Sequence, residues 1–342
     1  MGQTARVASF TEDELVEAIR KLLSGDVPGV RLGPGDDAAL VEPGSALGVL
    51  TADLLVEDVH FERATIAARD LGYKALVVNV SDVAAMGGSP RYALVTLGLP
   101  PDIDASWVVE VYAGFREAAD EHGVGIVGGD VSRSQHVVLS VTVTGEVPEW
   151  GAVTRTGAQP GHRIVVTGRL GGAAGGLHLA RSRDPKVLHA AGTTWGRELL
   201  AAQFRPVARV GEGQTLAQAG ASAMMDISDG LALDLSRLCK ESEVGAALRL
   251  SDVPVAEALT PLAELVPDAD PLDLAVSGGD DYELLAALPP GAVEAAGAKL
   301  LERFGTPLTD IGEFRRDPGL VAVAPDGSER PLEPRGWDHF GA

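Results

Sequence analysis

The residues best suited to chemistry are aspartates that end or interrupt apolar runs. Asp36 and Asp37 follow Gly33-Pro34-Gly35, Asp53 follows Val49-Leu50-Thr51-Ala52, and Asp82 ends Val77-Val78-Asn79-Val80-Ser81. Asp130 follows Val127-Gly128-Gly129, and Asp226 and Asp229 lie in Met225-Asp226-Ile227-Ser228-Asp229-Gly230. Asp280 and Asp281 follow Ser277-Gly278-Gly279. Carboxylates in such surroundings are partly buried, and a buried anion is costly unless hydrogen bonds or a cation meet it. Few cationic residues stand near these segments. Oxygen ligands without Cys or His suit a hard cation, magnesium above all, which takes one or two carboxylates plus phosphates. Glycines ahead of the acids (Gly35, Gly129, Gly279) let backbone approach phosphate oxygens, and a helix after Asp229 adds its positive end. The pattern points to a metal–phosphate site and leaves the reaction open.

Each acid also has a purely structural reading. Asp229, ahead of Gly230 and a helix beginning near Leu231, fits an N-cap. Asp36 and Asp37 fit a turn, and Asp82 fits a satisfied polar residue on a helix face. Other chemistries lack their residues: there is no GxxxxGK[ST] loop, no CxxC or HExxH and no GxSxG elbow. The glycines of Gly168–Gly176 favour a tight turn over a phosphate cradle.

These residues need elements to position them. A helix is expected from the Thr11/Glu14 capping box, with Leu15, Ile19, Leu22 and Leu23 on one face. β-like runs follow at Ala38–Val41 and Leu47–Val56, then a helix over Leu71–Met86, a strand at Tyr92–Leu99 and a helix at Ala105–His122. Strands at Gly125–Val127 and Val137–Gly145 complete an α+β domain over residues 1–147. The Pro/Gly-rich Val147–Pro160 is the expected boundary. A second, α/β domain over 148–342 carries strands at Arg163–Thr167 and Ala221–Ile227 and a helix at Leu231–Glu241. Tyr282–Leu288, Gly291–Phe304 and Leu320–Val323 continue the alternation. The tail Pro334–Phe340 closes it.

With 342 residues, two domains each have enough chain for a core. A formal net charge of −21 argues against nucleic acid and anionic membrane as partners, since both call for a basic face. The single cysteine, Cys239, permits no intrachain disulfide. No uncharged apolar run approaches the ~18–20 residues of a membrane span, and the amphipathic start is unlike a signal segment. A cytoplasmic protein is the expectation.

Taken in order, the motifs resemble those of the thiamine-monophosphate kinases. They are Gly35-Asp36-Asp37-Ala38-Ala39, Thr51-Ala52-Asp53, Val59-His60-Phe61 and Asn79-Val80-Ser81-Asp82-Val83-Ala84-Ala85-Met86-Gly87, followed by Gly128-Gly129-Asp130 and Thr154-Arg155-Thr156-Gly157-Ala158. Then come Asp226-Ile227-Ser228-Asp229-Gly230, Ser277-Gly278-Gly279-Asp280-Asp281-Tyr282-Glu283-Leu284 and Gly336-Trp337-Asp338-His339-Phe340. The match runs from about residue 10 onward. The resemblance implies the two-domain fold of the aminoimidazole ribonucleotide synthetases, with N-terminal domains pairing through their sheets in a homodimer. It implies direct transfer from ATP to thiamine monophosphate, giving thiamine diphosphate. Residue by residue, Asp37, Thr51, Asp53, Asp82, Asp130, Asp226 and Asp229 would bind magnesium, with Asp130, Asp226 and Asp229 central to catalysis. Gly129, Asp130, Arg155 and Ser228 would contact ATP, with Tyr112 a candidate for the adenine. His60, Asp280 and Trp337 would hold thiamine monophosphate.

Two positions depart from the family. Ala52 stands where many members carry a second hydroxyl, and Asp280 stands where Glu is frequent. The rival readings are a ring-forming ATP-dependent synthetase of the same superfamily and a non-catalytic nucleotide- or metal-binding protein. His60 and the Trp337 tail argue against the synthetase. Selenophosphate synthetase would need a reactive Cys near the N-terminus. The hydrogenase-maturation relatives would end in Cys, where this sequence has Phe340-Gly341-Ala342.

Overall fold

A computed structural model describes residues 21–22, 27–28, 30–32, 40–41, 48–149 and 151–337. Most of the expected first helix, the Gly33–Asp37 stretch and residues 338–342 lie outside the described residues. The chain divides into two units, Met1–Val83 with Ser89–Val147, and Ala84–Gly88 with Pro148–Ala342.

In the first unit β1 (Val30–Leu32) and β2 (Leu40–Val41) pair antiparallel. There follow β3 (Gly48–Val56), α1 (Ala68–Ala85), β4 (Ser89–Leu99), α2 (Ala105–His122), β5 (Gly125–Arg133) and β6 (Val138–Glu146). The second sheet has the order β3-β6-β4-β5. β4 and β5 run parallel across α2, as a crossover helix allows, and the other pairs are antiparallel. Period-two burial is clear along β6, where Leu139, Val141 and Val143 are inside and Ser140, Thr142 and Thr144 alternate with them. Along β3 the outward residues are Leu50, Ala52 and Leu54, with Leu50 76% exposed. α1 is buried on nearly every side because it lies between β3 and α2.

The last residues of α1 belong to the second unit, within which Ala85 joins Leu216, Met224 and Leu284 in one apolar cluster and Val153 N–H donates to the Met86 carbonyl at 3.1 Å.

The second unit runs β7 (Arg163–Thr167), α3 (Gly172–Arg181), α4 (Pro185–Ala190), α5 (Thr194–Phe204), α6 (Val210–Gln218), β8 (Ala223–Asp226), α7 (Leu231–Glu241) and β9 (Gly245–Arg249). It continues with α8 (Leu259–Leu265), α9 (Pro271–Ser277), β10 (Leu284–Leu288), α10 (Val293–Phe304), β11 (Leu308–Arg315), β12 (Gly319–Val323) and β13 (Glu329–Pro331). The sheet order is β13-β12-β9-β11-β7-β10-β8, with β9 and β12 parallel and the other pairs antiparallel. β10 is a continuous apolar run because both its faces are covered. Leu285 and Ala287 pack with Leu235 and Leu238 of α7, while Leu284 and Leu288 pack with Leu300 of α10.

Some expectations change. The glycine-rich turn ends at Gly171, and Gly172–Gly176 is already helical. The strand expected from Tyr282 starts at Leu284, because Asp280 and Tyr282 adopt positive φ (70° and 51°), which a strand does not accommodate.

Candidate active site

In the first unit, strand alternation turns Thr51 and Asp53 to one side of β3. Thr51 Oγ1 donates to Asp82 Oδ2 at 2.5 Å. The Asp53 N–H donates to Asn79 Oδ1 at 2.9 Å, and Asn79 Nδ2 donates to the Ala75 carbonyl at 3.0 Å. Asn79 and Asp82 are i,i+3 on α1, so a single helix face meets both strand positions. The amide of fully buried Asn79 is thereby satisfied at both ends. Asp130 is placed differently. It is exposed, aligns with Thr96 across the β4–β5 ladder and accepts from Ser132 Oγ at 3.0 Å. The register Asp53–Val141–Val95–Gly129 puts it on the opposite face of the sheet from Asp53. Gly129 answers a packing need: a Cβ there would lie 1.7 Å from the Val95 carbonyl oxygen. Close strand approach explains this glycine without a phosphate.

In the second unit, Asp226 ends β8 and is 3% exposed. The N–H groups of Ser228, Asp229 and Gly230 all donate to Asp234 Oδ2, at 3.1, 3.0 and 3.1 Å. Arg237 Nη1 donates to Asp234 Oδ1 at 2.8 Å and to Asp229 Oδ2 at 2.5 Å. Two expectations are corrected by this arrangement. Asp229 is not the N-cap, since Gly230 holds that position, and Asp234, one turn on, takes the N–H groups of Ser228, Asp229 and Gly230 ahead of the helix. A cation does pair with Asp229, because α7 brings Arg237 back over the loop. Burial pushes the Asp234 carboxyl up to about 6, against the pull of its N–H donors and Arg237.

The turn before β10 is stitched to this loop through its backbone. Asp280 N–H donates to the Ser228 carbonyl (2.7 Å), Tyr282 N–H to Ile227 (2.8 Å) and Ile227 N–H to Glu283 (2.8 Å). Gly279 is needed here, since a Cβ would stand 2.6 Å from the Ser228 oxygen. The tail docks on the same loop, with Trp337 N–H donating to the Asp229 carbonyl at 2.9 Å. Ser228, Asp229, Asp280 and Trp337 are therefore brought together, and the Trp337 ring remains 50% exposed.

Of the acids on that turn, Asp280 accepts from Tyr282 Oη (2.9 Å) and Gln203 Nε2 (3.0 Å). Asp281 turns the other way and accepts from the N–H groups of Gly171 (2.6 Å) and Ala173 (3.3 Å) at the start of α3. The glycine-rich segment thus cradles an internal carboxylate. Burial pushes Asp281 up to about 8 despite those donors. Glu283 is held by Arg209 at 2.5 and 2.8 Å and by Thr167 Oγ1 at 2.6 Å.

The remaining candidates are scattered. His60 Nδ1 accepts from the Val56 N–H at 3.0 Å, which tethers the ring at the end of β3. The Arg155 side chain is exposed, and its carbonyl accepts from Ser242 Oγ at 2.8 Å. Tyr112 is packed in the core edge-on to Phe115 and presents no open face for a base. Asp37 lies outside the described residues. Cys239 is buried, its thiol pushed up to about 12, so it has none of the character of a reactive cysteine. Among the described residues no group of three or more His, Cys, Asp or Glu is gathered as a metal centre. The candidate donors in both units are nevertheless all oxygens, which matches a hard cation. Asp234 and Gln203 escaped sequence reasoning. An acid in the first turn of α7, three residues before an Arg, was the available signal for the former; Gln203 had none.

Two family models cover most of the chain: the AIR synthase related protein N-terminal domain over residues 35–147 and its C-terminal domain over 159–324. The thiamine-monophosphate kinase of Escherichia coli O157:H7 is 36% identical over 315 residues, covering 91% of this chain and 92% of the relative. The chain belongs to the thiamine-monophosphate kinase family. Two solved structures agree. Thiamine-monophosphate kinase from Stenotrophomonas maltophilia K279a has a TM-score of 0.78 at 36% identity, over 92% of this chain and 96% of that one. AaThiL complexed with AMPPCP and TMP has a TM-score of 0.76 at 32% identity, over 99% and 100%. No helix among the described residues is long and apolar enough to cross a membrane.

Proposed function

We propose that this chain transfers the γ-phosphoryl group of ATP to thiamine monophosphate, giving ADP and thiamine diphosphate. The observation that carries the reading is the backbone stitching that joins Ser228, expected at the nucleotide, and Asp229, expected at magnesium, to Asp280 and Trp337, expected at the acceptor. The relative solved with AMPPCP and TMP supports the same pair of ligands.

Both reactants are anions, and two unit charges about 4 Å apart repel by about 4 kcal/mol at an effective dielectric near 20. In the first unit Asp37, Thr51, Asp53 and Asp82, with Asp130 on the other face of the sheet, and in the second unit Asp226 and Asp229 would hold magnesium ions, whose positive charge would act against that repulsion. Gly129, Arg155 and Ser228 bind the nucleotide, and the exposed Arg155 guanidinium adds charge to the phosphates. His60, Asp280 and Trp337 hold the acceptor, Trp337 offering a half-exposed aromatic face. An oxygen of the acceptor phosphate attacks the γ-phosphorus as the bond to the ADP oxygen breaks. With a second phosphate pKa of about 6, that oxygen is already ionised near neutral pH and needs no general base. The reaction belongs in the cytoplasm, where ATP is supplied.

We also infer a homodimer built on the β3-β6-β4-β5 sheet, supported by the outward row Leu50, Ala52 and Leu54 and by Leu94 on the same face. Joint Leu50→Asp and Leu54→Asp substitution should give monomers in sedimentation velocity; an unchanged species would refute that pairing. The reaction is tested by mixing the protein with ATP, magnesium and thiamine monophosphate. Acceptor-dependent ADP and a product of thiamine diphosphate mass are expected. Nucleotide binding without ADP would overturn the kinase reading in favour of a binding protein.

A further inference from the structure

One nitrogen of Arg237 bridges two carboxylates. Its Nη1 donates to Asp229 Oδ2 at 2.5 Å and to Asp234 Oδ1 at 2.8 Å. The two bonds differ in their surroundings. Asp234 is fully buried, and its other oxygen takes the N–H groups of Ser228, Asp229 and Gly230. The Asp229 and Arg237 side chains are 26% and 39% exposed. Breaking a buried charge pair is costly, whereas an ion pair open to water is worth little. Arg237 is therefore anchored through Asp234, and its bond to Asp229 is the exchangeable one. The helix makes this possible: Asp234 and Arg237 stand i,i+3 on one face of α7, and Arg237 reaches back eight residues to the loop ahead of it.

We propose that Arg237 is a positioning residue that competes with magnesium for Asp229 and so sets the affinity of the second unit for the ion. The inference rests on the proposed function, in which Asp229 holds magnesium. An ion on Asp229 either takes the oxygen that Arg237 holds or sits beside it against a like charge, and each lowers the affinity. Asp234 keeps the displaced guanidinium beside the loop, so the like charge persists while the ion is bound. Removing Arg237 takes a positive charge from between Asp229 and Asp234 and makes the loop a stronger trap for a cation. Magnesium ordinarily binds through one or two carboxylates plus substrate phosphates. A carboxylate already engaged by the protein shifts that balance toward the phosphates, so the ion is held best when the nucleotide brings it.

The test is calorimetric titration of the EDTA-treated full chain with manganese chloride, whose ion takes the same oxygen ligands as magnesium, beside the magnesium dependence of turnover. Arg237→Met keeps the apolar stem and removes the charge, and should tighten manganese binding about tenfold. The magnesium concentration for half-maximal rate should fall with it. Arg237→Gln, which keeps a neutral N–H donor for Asp234, should shift both in the same direction and supplies an independent arm if Arg237→Met fails to fold. Arg237→Lys restores the charge and should bring the affinity back to within about threefold of wild type. In an Asp229→Asn background Arg237→Met should bring no gain, since the pair is already gone. An affinity unchanged or weakened in Arg237→Met and Arg237→Gln overturns the proposal; a purely structural role predicts that weakening, together with a lower melting temperature. A gain that survives Asp229→Asn also overturns it, because the charge would then act without the pair. So does a lack of saturable manganese binding in wild type and variants alike. Wild-type protein that makes no acceptor-dependent ADP overturns the kinase reading, while the manganese titrations still judge Arg237; active wild type with indifferent Arg237 variants overturns the role of Arg237 alone.

Discussion

The acids of the first unit and those of the second are held in place by different means. Thr51 and Asp53 are positioned by the two-residue period of β3, and Asn79 and Asp82 by the i,i+3 spacing of α1. Asp229, Asp234 and Asp280 are positioned by an irregular loop, a turn with two positive-φ residues and hydrogen bonds between distant segments. Regular elements share the work of placement among many equivalent backbone bonds. A stitched turn concentrates it in a few. Losing one contact should therefore cost the second unit more than the first.

The largest expected effect is on stability at Asp234. Asp234→Ala removes the acceptor of three N–H groups and one partner of Arg237 from a fully buried position. Breaking such a buried pair typically lowers unfolding free energy by about 3–5 kcal/mol. Urea denaturation at neutral pH measures it. A loss below about 1 kcal/mol would mean that the loop is held by other contacts.

Next is catalysis at Asp229. Asp229→Asn keeps the shape and removes the charge, so turnover should fall by about 100-fold, roughly 2.7 kcal/mol, and magnesium saturation should move to higher concentration. The melting temperature should change little, since Asp234 still holds the loop. Unchanged rate and magnesium dependence would take Asp229 out of the site.

Next is the pH response of Asp281. Its folded value of about 8 lies above the ordinary carboxyl value of 3.8. Between those values the native state binds more protons than the unfolded one, so stability falls as pH rises from about 4 to about 8, by at most about 1.4 kcal/mol per pH unit. Asp281→Asn, which cannot ionise, should flatten the urea-midpoint profile between about pH 6 and pH 8. A profile equally steep in the variant would assign the slope to another group.

The same contrast governs how much could be read from residues alone. The helix over Ala105–His122 has the bounds expected of it, and β3 ends at Val56 as expected, because apolar period and flanking Gly and Asp are local signals. The aspartates at Asp226, Asp229 and Asp280 were visible as breaks in apolar runs. Their mutual placement was not, because it depends on Ser228 and Asp280 meeting across some fifty residues of chain. Arg237 was overlooked because helical return, not sequence adjacency, brings it to Asp229. Gly129 and Gly279 were read as allowing phosphate approach, and each is also required by a neighbouring carbonyl; a glycine signals closeness without naming what is close. Helices α4 and α8 went unassigned for a related reason: they are short, and tertiary packing more than propensity sustains them.

The smallest expected effect lies at Thr51. Thr51→Val preserves shape and strand preference and deletes one hydroxyl donor to Asp82. The contact is half-exposed, so water replaces much of it, and the unfolding free energy should fall by only about 1 kcal/mol. β3 would keep its register, because nine paired positions with β6 define it independently of that hydroxyl. Measured beside Asp234→Ala under the same conditions, a several-fold smaller loss supports placement by regular structure in the first unit. If instead the two losses were equal, Thr51 and Asp82 would have to be a tie as concentrated as the one around Asp234, and the division between the two acidic groups would not hold.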